Sequence, residues 1–309
     1  MIGTVWGWMA ATAAPKEPEP SLGDMIMHHV TDSHTWELPP PIYTVHLPRW
    51  QPIQVGGLSI DLSPTKHVVM MLIAAVLLSV VMIWTAQRTH PPARERAPRG
   101  LANMIEAFVI FIRDEVVLPN IGHGGERYVP YVLTLFFFIL VTNMLGLLPW
   151  MATATANISV TATLAFLSLV IIEVSGFVSL GPKGYARTIF YAPPGMHPIA
   201  RGLMVVIMTP VELLGKVAKP FALAIRLFAN MNAGHFVVLA LIGMAVAAGA
   251  IFRSASSPIL GALAAALPVL APIVMGVGIL ALELFVAVLQ AYIFAMLTSV
   301  FIGLVRHAH

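Results

Sequence analysis

Phe221-Ala222-Leu223-Ala224-Ile225-Arg226-Leu227-Phe228-Ala229-Asn230-Met231-Asn232-Ala233-Gly234-His235, continued by Phe236-Val237-Val238-Leu239-Ala240-Leu241-Ile242, places one guanidinium inside a strongly apolar run. A charge at that depth of hydrocarbon is costly, and it normally faces protein or a watery cavity. Arginine keeps its proton through any plausible shift, which lysine does not. A permanent cation there suits a site that repels protons or attracts a carboxylate without ever titrating itself. As pure structure it is a poor exchange, because an unpaired guanidinium would be desolvated for packing alone.

The rest of the chain supplies the same solvent. Of its 309 residues only 10% are charged and 58% are hydrophobic, against about 25% charged in soluble domains. The expected class is an all-α polytopic membrane protein in the lipid bilayer. Cysteine is absent, which leaves no disulfide framework, thiolate nucleophile or cysteine metal site. The net charge of +3 reflects loop arginines and forms no nucleic-acid patch. No Gly-x-x-x-x-Gly-Lys phosphate loop occurs, so the chain does not handle nucleotide through one.

Residues 1–65 read as an extracytoplasmic amino-terminal arm, Pro-rich and polar from residue 15 onward, and residues 66–309 as the membrane domain. Ala11 to Ala14 offer small residues near a possible signal cut, but no basic residue precedes the apolar stretch. His28, His29, Asp32 and His34 cluster without tetrahedral ligand spacing, so no metal site is assigned. Val68 to Ala86 is uncharged and long enough to cross a bilayer, which takes about 20 residues. It ends at a loop with Arg88, Arg94, Arg96 and Arg99, and excess Lys/Arg marks the cytoplasmic side. The amino terminus is then outside. Leu101 to Leu118 carries Met104, Ile105, Phe108, Phe111 and Ile112 at helical spacing, with Glu106, Arg113, Asp114 and Glu115 between them. That pattern fits an amphipathic interfacial helix or a helix packed on its neighbours.

From Tyr128 to Pro182 the only charge is Glu173, expected in the bundle interior or near the inner interface. Pro149 and the run Thr153 to Asn157 divide this stretch into spans at 130–149 and 158–180, a hairpin whose turn lies outside. Lys183, Arg187 and Arg201 return the chain to the positive side. Gly181, Pro182, Pro193, Pro194 and Gly195 mark a loop. Two apolar stretches follow, 199–251 and 254–305, separated by Arg253 and Ser254 to Pro258. Each is too long for one upright helix in a ~30 Å core and must tilt, kink or break. Pro220, Pro268 and Pro272 are the expected kinks or helix starts. Arg306-His307-Ala308-His309 puts the carboxyl terminus in the cytoplasm.

Glu212, Lys216, Lys219, Leu223, Arg226 and Asn230 follow a 4-3-4-3-4 spacing and share one helical stripe if Pro220 does not rotate it. At helical rise Glu212 lies about 21 Å from Arg226 and His235 about 13 Å away in the other direction. Glu283 and Gln290 are seven residues apart on the last helix, hence on one face. Titratable groups therefore flank the arginine at two depths, as two half-paths for an ion that never join directly. Asn230 and Gln290 ligate water without titrating, or simply hold helices together. Lys216 and Lys219 are expected to snorkel to the cytoplasmic interface.

The run Arg226-Leu227-Phe228-Ala229-Asn230-Met231-Asn232-Ala233-Gly234-His235 resembles the signature of subunit a of rotary ATP synthases. Leu282-Glu283-Leu284-Phe285 and Leu289-Gln290-Ala291-Tyr292-Ile293-Phe294 resemble that family's final helix. Thr142-Asn143-Met144-Leu145-Gly146-Leu147-Leu148-Pro149 and Asn157-Ile158-Ser159-Val160-Thr161 resemble its middle hairpin. The resemblance covers residues 66–305. It implies an upright first helix, an interfacial helix, a transmembrane hairpin and two long tilted helices lining a ring of subunit c. It also implies a place in the cell (inner) membrane, with the ring, a subunit b peripheral stalk and other ATP synthase subunits as partners, and no cofactor. Arg226 matches the essential arginine that faces the ring's carboxylate. Asn230, His235, Glu283 and Gln290 match positions at the entry half-channel and around the arginine, and Glu212 an acidic position toward the cytoplasmic exit. Many bacterial members carry an acid in place of His235 and a histidine in place of Glu283. The swap keeps one acid and one imidazole between the paired helices. Asn157 stands where an acid is common.

The implied function is a proton-translocating stator subunit that performs no covalent chemistry. A secondary transporter would also hold ionisable groups at mid-membrane, but the chain shows no internal repeat. A haem-anchoring subunit would need paired deep histidines, and His235 alone lies deep within a span.

Overall fold

The computed structural model describes residues 31–37, 44–55, 58–61, 63–89, 100–148, 151, 153–190, 197–254 and 257–307. Ala11 to Ala14, His28, His29, Arg94, Arg96, Arg99, Pro149, Pro193, Pro194 and Gly195 lie outside them. Helices α1 (Lys66–Thr89), α2 (Leu101–Phe111), α3 (Leu118–Ile121), α4 (Val129–Gly146), α5 (Ile158–Ile189), α6 (Pro198–Ser254) and α7 (Pro258–Arg306) carry almost all of the regular structure. Five stretches within them are long and apolar enough to cross a membrane, as an all-α multi-pass protein requires.

The arm departs from the irregular reading. Thr35–Glu37 (β1) pairs antiparallel with Thr44–His46 (β2), and Ile53–Val55 (β3) with Leu58–Ile60 (β4). Only Gly56-Gly57 separates the second pair in sequence, a two-residue hairpin signal that the proline content of the arm obscures.

Between α2 and α3 the helix widens to a π-helical segment, Ile112–Val117. Ile105 and Ile112 pack into the core, while Met104 and Phe111 are exposed with Arg113, Asp114 and Glu115. The apolar stripe thus divides between protein and surroundings. α4 ends at Gly146, where an added Cβ would collide with the Thr153 side chain returning from the hairpin turn. Asn157 caps α5 by accepting a hydrogen bond from the Ser159 N–H at 2.9 Å. That satisfies one of the first-turn donors left open at a helix start.

Two proline expectations are corrected. Gly181-Pro182 is a kink inside α5, where Gly181 has φ 70°, and the helix resumes to Ile189. Glycine permits that backbone, and proline fits the first turn of the resumed helix, where no N–H partner is needed. Of the kinks or helix starts expected at Pro220, Pro268 and Pro272, the starts are the part corrected: α6 runs through Pro210 and Pro220, and α7 through Pro268 and Pro272.

At 57 and 49 residues, α6 and α7 would span about 85 and 74 Å, far beyond the ~30 Å of a hydrocarbon core. They pack along one another more extensively than any other pair of elements. Phe136 and Ile139 of α4, Leu227 of α6, and Phe294 and Ile302 of α7 meet in the buried core. Leu72, Val76, Phe166, Val178, Val206 and Val277 stay exposed, which suits lipid or a partner and not water.

Gly303 fixes how α7 seats. A methyl group there would fall on the backbone oxygen of Asn120, which cannot rotate aside as a side chain would. Gly303→Val gains under about 1 kcal/mol of helix propensity, while overpacking costs about 1–3 kcal/mol. The variant should unfold at lower temperature in detergent. An unchanged midpoint would mean that α7 does not seat on this turn.

Candidate functional site

Arg226 projects from the exposed side of α6 and makes no hydrogen bond or ion pair with any described residue. Its surroundings explain the orientation. Leu223, Ala224, Leu227 and Met231 are buried and anchor the opposite face of this helix. Ala222, Arg226, Ala229 and Ala233, at spacings of four, three and four, therefore stand on its open face. Small residues on either side of the guanidinium let another helix approach it closely. The proposed common stripe holds only in part, because Leu223 turns inward while Arg226 and Asn230 remain exposed.

Asn230 links this face to α7. Its Nδ2 donates to Gln290 Oε1 at 3.2 Å. Gln290 is buried, and its Nε2 has no hydrogen-bond partner among the described residues. That leaves one buried amide donor for a water or an incoming carboxyl group.

His235 and Glu283 line one cavity of about 310 Å³, together with Leu147, Leu241, Pro272 and Leu280. Glu283 packs against Gly234, where any Cβ would strike its Oε1. The glycine is therefore what lets the carboxylate sit between the two helices. Gly146 also lines this cavity, which puts it at the hairpin-turn end of the molecule.

Glu212 lies at the opposite end, beside a smaller cavity of about 40 Å³ that it lines with Glu173, Lys216, Lys219 and Phe301. Arg226 lines neither cavity. Each of the six residues singled out in the sequence thus falls into one of four places. Asn230 and Gln290 bond to each other, His235 and Glu283 share the larger cavity, Glu212 borders the smaller, and Arg226 lies between on the open face.

Lys216 is a correction. Its Nζ donates to Glu173 Oε2 and to the Tyr185 hydroxyl, both at 3.1 Å, and its side chain is 11% exposed. It turns into the protein instead of snorkelling because Glu173, the sole charge of residues 128–182, waits across the interface. The α5 kink brings Tyr185 there as well. Lys219 lies with its ammonium 5.2 Å from the Phe301 ring centre.

A second polar group was not anticipated. Asp32 of the arm accepts a hydrogen bond from Asn157 Nδ2 at 3.0 Å, and buried His67 approaches the same carboxylate at 3.9 Å. Asp32 therefore joins the hairpin turn. Among the described residues no three His, Cys, Asp or Glu come together as a metal site; His34 Nδ1 lies 3.3 Å from the Pro64 carbonyl.

The family model described as ATP synthase A chain matches residues 68–303. ATP synthase subunit a 2 of Chlorobaculum tepidum is 44% identical over 295 residues, covering 96% of this chain and 76% of the relative. ATP synthase subunit a of Chloroherpeton thalassium is 42% identical, covering 90% and 75%. That of Anaeromyxobacter dehalogenans is 42% identical, covering 93% and 72%.

Proposed function

The chain belongs to the ATP synthase A chain family, and on that premise we propose that Arg226 is the fixed charge coupling proton flow to rotation of a subunit c ring. The protein is a multi-pass membrane subunit of the ATP synthase Fo sector that translocates protons and assembles with other ATP synthase subunits. Nucleotide chemistry belongs to those other subunits. The observation that carries the finer reading is the placement of Arg226 on an open face, between two cavities that carry titratable groups and do not include it.

The cycle runs as follows. A proton enters from the outside through the cavity of His235 and Glu283, beside the Asn230–Gln290 pair, and neutralises a ring carboxylate. The neutral carboxyl enters lipid, where the charged form is strongly disfavoured. After nearly a full turn it reaches the Glu212 side and releases its proton to the cytoplasm. The ionised carboxylate then passes Arg226, whose charge favours that form. Arg226 also denies protons a direct route between the two half-paths. The membrane potential supplies about 2.3 kcal/mol per charge per 100 mV. In this orientation the arm is extracytoplasmic and the carboxyl terminus cytoplasmic.

The chain has no cysteine, so single cysteines test the partner face. Cysteine at Ala229 or Ala233 should form disulfides with cysteines on the outer helices of the c ring. Cysteine at Phe177, exposed on α5, should form none. Cross-linking from Phe177 with none from Ala229 or Ala233 would put the ring on another face and remove Arg226 from its path.

A further inference from the structure

The notable feature outside these two cavities is a series of polar side chains leading inward from the arm. Asp32 accepts from Asn157 Nδ2 at 3.0 Å and lies 3.9 Å from His67 Nε2. His67, 2% exposed, has its Nδ1 3.0 Å from the Thr153 carbonyl oxygen. Thr153 Oγ1 lies 2.9 Å from Thr155 Oγ1, and Thr155 donates to Asn143 Oδ1 at 2.7 Å. Asn143 Nδ2 donates to the Ala287 carbonyl at 3.4 Å. Ala287 is four residues, about one turn, from Glu283 on α7. Asn232 of α6 joins the same turn by donating to the Ala156 carbonyl at 3.0 Å.

Asn143, Thr153 and Thr155 are no more than 1% exposed. Burying that many polar atoms in a membrane protein costs free energy unless each is bonded. The series, ending in an acid and an imidazole at its outer end, calls for a reason beyond fastening.

We propose that Asp32 and His67 form the outermost proton-accepting pair of the inlet half-path, so that the amino-terminal arm is a working part of the ion route. The proposal rests on the half-path reading above and extends it to the outer mouth. The Thr153 carbonyl can only accept, so Nδ1 of His67 carries hydrogen and Nε2 presents its lone pair to Asp32. A proton taken from outside water converts the Asp32 carboxylate to a carboxyl. Its transfer to Nε2 regenerates the carboxylate and leaves an imidazolium. The 3.9 Å gap exceeds hydrogen-bond length, so the two groups close on each other for the transfer. The imidazolium then gives up its proton inward, along the side of the hairpin turn that carries Thr153, Thr155 and Asn143, toward Glu283.

The acid common at position 157 in resembling chains is an asparagine here, and Asp32 places a carboxylate on that very residue. Other charged groups near this end are Lys66, buried beside His67, and His34, Arg49 and Asp61 of the arm. Hydrogen bonding to Ser63 holds the Asp61 carboxyl below its ordinary range. Asn143, Thr153, Thr155 and Asn157, which face the pair from α4 and the hairpin turn, are neutral.

The test uses the whole complex in vesicles, with ATP synthesis measured per assembled complex while the outside pH is varied. Asp32→Asn keeps an amide that can still bond within the turn but cannot titrate. Synthesis should fall several-fold at an outside pH of about 8, where protons are scarce, and much less at about pH 6. His67→Gln should do the same. Asp32→Asn combined with Asn157→Asp should restore the pH profile by moving the carboxylate across one hydrogen bond. Profiles unchanged in both single variants would overturn the proposal. So would an equal loss at every pH that Asn157→Asp does not repair, since that marks a fastening role only. If Arg226→Ala stops synthesis in the same vesicles while Asp32→Asn changes nothing, only this inference falls. If Arg226→Ala leaves synthesis intact, the half-path reading falls with it.

Discussion

Arg226→Ala is expected to reduce proton-driven ATP synthesis to background while the complex still assembles. Assembly should survive because the side chain makes no bond to any described residue and stands on an exposed face. Its removal leaves no cavity in the core and no buried partner uncompensated. Rotation is what should fail. In the proposed cycle a ring carboxylate that has released its proton crosses this face while ionised, and an unpaired charge at mid-membrane costs about 2.5–3.5 kcal/mol on insertion scales. That is roughly a 100-fold slower step, and the fixed barrier between the half-paths is lost as well. Arg226→Lys should recover little, because an ammonium in an apolar setting sheds its proton and joins the relay it is meant to interrupt. Synthesis per assembled complex in vesicles is the measurement. A rate within a few-fold of the unmodified protein would reject the role.

The sequence was most informative where long-range chemistry rests on one residue type. Arg226 could be read directly because a permanent charge in an apolar run has few uses. The helix spans could be read because hydrocarbon demands length and apolarity, and α1, α4, α6 and α7 begin and end within a few residues of expectation. Proline does not start a helix here because a membrane helix tolerates it in its interior. Neighbouring side chains and helices re-satisfy the freed carbonyl, so α6 runs through Pro220 unbroken. The arm misled because four three-residue strands carry almost no periodic signal.

The groups missed at the two ends share one cause. Lys216 with Glu173, and Asp32 with His67 and Asn157, are partners 35 or more residues apart in sequence. Spacing along a single helix could not pair them. Each half carried a signal of its own, namely the lone charge of Glu173 within residues 128–182 and the histidine at the head of α1. What the sequence lacked was the kink at Gly181, which delivers Tyr185, and the turn at Thr153, which receives His67. Both are local backbone geometries that decide long-range contacts.

The shared cavity of His235 and Glu283 predicts a non-additive result. His235→Ala and Glu283→Gln should each lower synthesis by about 100-fold, the low end of what a positioned proton-transfer group contributes. The exchanged pair, His235→Glu with Glu283→His, should recover most of that loss. Both side chains border the same space, so exchanging them returns one acid and one imidazole to it, the arrangement many resembling bacterial chains carry. Space permits the exchange at the tighter position, because Gly234 presents no side chain to the residue at 283. Gly234→Ala in the exchanged background should therefore undo the recovery, since its methyl group would occupy the room the imidazole needs. Synthesis at different outside pH values, per assembled complex, separates the outcomes. If the exchanged pair is as poor as the worse single variant, the two residues act at separate points and not as one relay. If Gly234→Ala is silent, the recovery does not depend on that contact, and the geometry of the pair has been read wrongly.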